Sequence, residues 1–167
     1  MKKRQFLVVG SLLVGLLIVL ISCEPKNTTT TEELEIERIN DFMVKYGLSI
    51  EPRESGLYFL DETVGTGQFA VSKDTVEVFY TGFFLSGIKF DSNIGGSPLE
   101  FVIDNEPTRD VILGWDEGLT LVREGGSAKL IVPSWLGYGQ QGNYAIPGNT
   151  PLYFEVELVN IRFGPNH

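Results

Sequence analysis

The chain has 167 residues, 43% of them hydrophobic, with 19 glycines and 11 phenylalanines; this suits one β-rich domain with an aromatic interior rather than two domains. A net charge of −9 argues against nucleic acid and against polybasic adhesion to anionic lipid. The single histidine is His167 and the single cysteine is Cys23, which excludes histidine-based triads, His-ligated zinc and internal disulfides.

Lys2, Lys3 and Arg4 precede an uncharged run from Phe6 to Ile21, shorter than the roughly 20 residues a membrane-crossing helix needs. This is the pattern of an export leader. The run closes on Leu20-Ile21-Ser22-Cys23, which resembles the lipobox of bacterial lipoproteins. On that resemblance residues 1–22 are removed, and a lipidated Cys23 anchors the chain to a membrane of the bacterial cell envelope, facing outside the cytoplasm. An uncleaved signal anchor with an incidental cysteine is the competing reading. Removal would cost three basic and no acidic side chains, so attachment would rest on acyl chains, more than one of them for a firm hold. Residues 23–33 are polar and threonine-rich and read as a flexible tether.

Ile39, Phe42, Met43 and Tyr46 then recur at helical spacing ahead of Gly47. Residues 34–55 are therefore expected to hold a short amphipathic helix and a linker, a packing or dimer element; the oligomeric state stays open. Beyond Leu57 the period becomes two. Val76, Val78 and Tyr80 alternate with polar or outward neighbours, as do Leu99, Phe101 and Ile103, then Ala128, Leu130 and Val132, then Leu152, Phe154, Val156 and Leu158. One helical stripe interrupts these strands, Val111, Trp115, Leu119 and Val122. Strands wrapped over one short helix make an α+β domain, assigned to residues 56–163.

The glycines of "VGTGQ" lack a following Lys-Ser/Thr and the strand–loop–helix order of a phosphate cradle, so they mark a turn. Asp116 and Glu117 fall near the start of the short helix, where carboxylates favour the positive end of the dipole; adjacent helix positions point apart, which does not suit a pair of glycosidase acids. The motifs "VFYTGFF", "KFDS", "VILGWDEGL", "VPSWLGYG" and "IPGNTPLYFEVEL" occur in that order. Together they resemble the FKBP-type peptidyl-prolyl cis-trans isomerases over about residues 56–162.

That resemblance implies an antiparallel half-barrel sheet wrapped around one short helix, with an apolar pocket between them. It makes Trp115 the pocket floor and Tyr80, Phe90 and Phe154 its walls, with Leu99, Val111, Ile112 and Ile146 also lining it. The Ile112 N–H and the Tyr138 hydroxyl would bond carbonyls of a proline-containing peptide, and Asp91 would be the polar group at the rim. Tyr80, Asp91, Tyr138 and Phe154 are thereby assigned to catalysis. No cofactor or metal is implied. The chain departs from the family pattern in several places: "SNIGGS" is slightly short and lacks the basic residue that often partners the aspartate, Leu99 replaces an aromatic, Phe79 replaces a histidine, Ala145 precedes Ile146, and Pro151 is an extra proline before the last strand. The alternatives are a non-catalytic proline-peptide or chaperone module, and a surface glycan-binding lipoprotein using Trp135, Tyr138 and Tyr144 as stacking faces.

Overall fold

The computed structural model describes residues 30–103 and 110–167. The proposed leader, Cys23 and the tether up to residue 29 lie outside the described residues. The elements, in chain order, are α1 (Thr31–Tyr46), β1 (Tyr58–Thr63), β2 (Thr75–Phe84), β3 (Lys89–Ser92), β4 (Leu99–Val102), α2 (Leu113–Leu119), β5 (Gly126–Val132) and β6 (Leu152–Arg162). A single 3-10 turn, Ser134–Leu136, lies between β5 and β6.

All strand pairs are antiparallel, in the order β1-β5-β6-β2-β3, with β4 also on β2. β3 pairs Thr81 to Phe83 and β4 pairs Thr75 to Val78, so both lie along one edge of β2 while β6 runs along the other. This is the half-barrel on one helix that the resemblance implied. The side-chain period of two sends Val76, Val78, Leu130, Val132, Phe154, Val156 and Leu158 to the inner face, where they bury with Trp115 and Leu119 of α2.

α2 is shorter than the expected stripe. Ile112 is its N-cap with extended backbone (φ −68°, ψ 151°), so Val111 precedes the helix, and Val122 is reached through tighter turns, with Leu121 N–H donating to Gly118 and Val122 N–H to Leu119. Two glycines set how close it lies to β5: a Cβ on Gly114 would stand 2.5 Å from Val132 Cγ1, and one on Gly118 2.8 Å from Leu130 Cδ1. Each glycine costs a helix about 1 kcal/mol relative to alanine, and close packing offsets that. Asp116 is buried in the first turn, while Glu117 is held by Arg53 at 2.9 Å.

α1 begins earlier than composition suggested. Thr30 caps it by accepting from the Glu33 N–H at 3.1 Å, and the Glu33 carboxylate accepts from the Thr30 N–H at 2.7 Å. This capping box, worth on the order of 1 kcal/mol, draws Thr31 to Glu33 out of the expected tether into the first helical turn. Gly47, at φ 65°, ends the helix. Ile39 and Phe42 pack on Tyr58 and Ile131 across the outer face of the sheet, so α1 covers the side opposite α2. Each such side chain contributes about 1.5–3 kcal/mol on burial. Among the described residues no helix is long and apolar enough to cross a membrane.

Candidate active site

The pocket is built from five elements, with β4 adding Leu99. Tyr80 comes from β2, Phe90 and Asp91 from β3, Phe154 from β6 and Trp115 from α2; Leu99, Val111, Ile112 and Tyr138 complete it, enclosing about 160 Å³. Trp115 is 4% exposed, with Tyr80 and Phe154 meeting it edge-on at centroid distances of 4.8 and 5.3 Å. Phe90 meets Phe154 at 5.7 Å and 86°. Edge-to-face contact sets the positive edge of one ring on the negative face of another, which fixes ring orientation as well as burying area. The walls can close because residue 82 is glycine: a Cβ there would stand 2.6 Å from Phe90 Cζ and 2.9 Å from Phe154 Cε1.

Polar groups are few and oriented. The Tyr80 hydroxyl donates to Asp91 Oδ2 at 2.6 Å, and Asp91 Oδ1 accepts from the Ser92 N–H at 2.8 Å. Burial first, and then the hydrogen bond to the Asp91 carboxylate, pushes the Tyr80 phenol far above its ordinary 10.0. Tyr138 is shifted upward as well, by burial and then by the negative charge of Asp91. Both hydroxyls thus keep their protons at any physiological pH. The Ile112 carbonyl accepts from the Trp115 and Asp116 N–H groups as α2 starts.

Nine of the ten site residues expected from sequence line this pocket. Ile146 is not among them: it is 2% exposed and sits in the same inner core cluster as Trp115 and Phe154. The cause is local. Asn143 Oδ1 accepts from the Ala145 and Ile146 N–H groups at 2.8 and 2.7 Å, and that turn carries Ile146 into the core. Asp110 also lines the pocket, and sequence reading missed it.

Asn93 was missed too. Its Oδ1 accepts from the Tyr80 N–H at 2.8 Å, and its Nδ2 donates to the Val78 carbonyl at 2.9 Å and the Ser97 carbonyl at 3.3 Å. β3 leaves β2 after Ser92 and β4 rejoins it at Leu99, so Asn93 supplies from a side chain the ladder bonds of the gap. The signal was an asparagine in a loop otherwise made of Ile, Gly, Ser and Pro.

The rings offered for glycan stacking do not share a platform. The Trp135 Nε1–H donates to the Ser55 carbonyl at 3.0 Å, its ring sits where a Gly56 Cβ would fall, Tyr138 belongs to the pocket, and only Tyr144 is fully exposed. His167 lies apart from the pocket, 3.0 Å from Asp74 through Nδ1.

A curled antiparallel sheet, a short helix laid in it and an aromatic pocket with oriented hydroxyls make up the candidate site. The family model described as FKBP-type peptidyl-prolyl cis-trans isomerase matches residues 66–159, and the chain belongs to that family. It is 42% identical over 118 residues to a probable FKBP-type peptidyl-prolyl cis-trans isomerase of Haemophilus influenzae, covering 70% of this chain and 47% of that one. Against FkpA of Escherichia coli the identity is 37% over 117 residues, 70% of this chain and 42% of the relative. The chain thus spans less than half the length of these curated relatives. Among solved structures, a peptidyl-prolyl cis-trans isomerase from Pseudomonas syringae superimposes with a TM-score of 0.67 at 29% identity, covering 80% of this chain and 94% of that one. FkpA from Escherichia coli gives 0.68 at 32%, covering 81% and 64%.

Proposed function

We propose that the chain catalyses cis-trans isomerisation of X-Pro bonds in exported proteins, as a lipid-anchored member of the cell envelope. The observation that carries this reading is the aromatic pocket over Trp115 with hydrogen-bonding groups at its mouth. At about 160 Å³ it is smaller than the roughly 300–1,000 Å³ of sites for drug-sized ligands, a scale that suits one proline ring and its amide.

The chemistry follows from the amide. Rotation faces a barrier of about 18–20 kcal/mol because the planar form has C=N character and a large dipole, which water stabilises. Moving the bond onto Trp115 and between Phe90 and Phe154 strips that solvation. The planar form loses more than the twisted one, whose resonance is already broken, and each 1.4 kcal/mol of difference gives about tenfold in rate. The Tyr138 hydroxyl and the Ile112 N–H would hold peptide carbonyls on either side, while Asp91, fixed by Tyr80 and Ser92, faces the bond. Leu99 and Val111 complete the apolar rim. No nucleophile, base or metal takes part. Uncatalysed exchange takes tens to hundreds of seconds, slow enough to limit folding of an exported chain.

The anchor rests on the charged start, the apolar run and Cys23. Replacing Cys23 by serine should release the protein from membranes; a variant that stays membrane-bound and uncleaved would establish the signal anchor instead. For the activity, exchange of an X-Pro peptide is measured by NMR with the full chain in detergent. Line broadening or exchange peaks above the uncatalysed rate are expected. A folded protein that leaves the rate unchanged, while still binding the peptide, would reduce the site to a proline-binding module.

A further inference from the structure

α1 supplies none of the pocket-lining residues, yet two of its side chains, three positions apart and so on one face, grip both ends of the segment that brings Tyr138 to the pocket. Glu35 is 1% exposed. Its Oε2 accepts from the Ser134 N–H at 2.9 Å and its Oε1 from the Ser134 hydroxyl at 2.5 Å. The Ser134 carbonyl in turn accepts from the N–H groups of Gly137 and Gly139, at 2.9 and 2.8 Å, which flank Tyr138 on both sides. At the far end Arg38 donates through Nη2 to the Asn149 carbonyl at 3.0 Å, and the Asn149 N–H donates to the Gly139 carbonyl at 2.9 Å.

An aliphatic residue at position 35 would extend the apolar stripe of Ile39 and Phe42. A buried carboxylate there is tolerated only with partners, and charge-assisted bonds to two donors of one residue fix direction as well as distance. The partner is 99 positions away and opens the turn that carries Tyr138.

We propose that Glu35 is a positioning residue for Tyr138: by holding both donors of Ser134 it fixes the Ser134–Gly139 turn and so the place of the Tyr138 hydroxyl at the pocket mouth, with Arg38 bracing the other end. α1 then belongs to the geometry of the site as well as to the cover of the outer face. The catalytic consequence rests on the isomerase reading; the positioning itself does not.

The test uses the full chain in detergent, labelled with 3-fluorotyrosine at its six tyrosines, the Tyr138 signal being the one lost in Tyr138→Phe. Glu35→Gln keeps the size but removes the charge and leaves one acceptor atom where the carboxylate sets two, one on each donor of Ser134, so the grip loses its charge assistance and its two-point geometry. In it the Tyr138 fluorine signal is expected to shift or broaden while that of Tyr58, beneath α1, stays in place. The value of kcat/KM is expected to fall about fivefold in Glu35→Gln, and less than about twofold when the same change is made in Tyr138→Phe, since coupled residues lose their shared contribution once. Ser134→Ala, which removes only the hydroxyl, should move the Tyr138 signal in the same direction by less, and it decides the matter if Glu35→Gln does not fold. An unmoved Tyr138 signal in the folded variants overturns the proposal, as does an equal loss of kcat/KM in both backgrounds. If the wild type shows no catalysis, the isomerase reading fails and the fluorine signals still decide the positioning.

Discussion

The two faces of the sheet are both aromatic, and only one has the form of a site. Phe154 and Tyr153 are neighbours on β6, pointing to opposite sides. Phe154 meets Trp115 and Phe90 near edge-on, in a pocket whose mouth holds the Tyr80–Asp91 pair and the Tyr138 hydroxyl. Tyr153 tilts against Phe42 and Phe83 beside a larger cavity, about 330 Å³, between α1 and the outer face. There the Tyr153 hydroxyl is already taken by Glu155 at 3.0 Å, and Lys129 by Glu62. Cavity size does not distinguish the faces; the Tyr138 hydroxyl and the oriented Asp91 carboxylate beside the Trp115 floor do.

Breaking each face separately should separate activity from stability. Trp115→Ala is expected to cost about 3–5 kcal/mol by urea unfolding and to return exchange to the uncatalysed rate. Phe42→Ala should destabilise by a similar amount through loss of its contacts with Tyr46 and Tyr153, while KM for the peptide stays within about twofold at temperatures where the protein is folded. Equal losses of activity from the two would erase the distinction between the faces.

Asn93→Ala tests the strand gap beside the pocket. It orphans the Tyr80 N–H and the Val78 carbonyl, both part-buried, so a loss of about 1–3 kcal/mol is expected, together with a lower kcat/KM because Tyr80 and Asp91 are freed. A loss of activity without one of stability would place Asn93 on the peptide instead.

The smallest pair of changes is the sharpest. Tyr138→Phe removes one hydroxyl from the pocket mouth and should lower kcat/KM by about two- to tenfold, the worth of a hydrogen bond of about 0.5–1.5 kcal/mol. Tyr153→Phe removes one from the outer face and should leave kcat/KM unchanged. Both phenols are raised above 10.0 in the folded protein, each chiefly by burial, then Tyr138 by Asp91 and Tyr153 by its hydrogen bond to Glu155. A raised folded value contributes stability that is complete below pH 10 and is lost as pH climbs through the folded value. Stability should therefore decline with alkali above about pH 10, less steeply in either variant, while activity stays level across the neutral range.

Much of this was legible in single stretches of sequence. The period of two in Leu152 to Leu158 named the residues that face α2, because a strand has no other way to bury half its side chains. The ordered motifs brought Tyr80, Phe90, Trp115 and Phe154 to one pocket, and the Thr30–Glu33 capping box was there to be read at the start of α1. What tertiary structure alone decided are pairings between distant residues. Glu35 looks like a solvated acid until Ser134 arrives, Asn93 like a loop residue until β2 lies beside it, and Asn143 like a loop residue until its side chain turns the chain so that Ile146 enters the core. Periodicity reports which side of an element is apolar. Which polar group meets a polar group is set only when the chain closes, since a hydrogen bond depends on the direction and distance of a partner that local sequence does not contain.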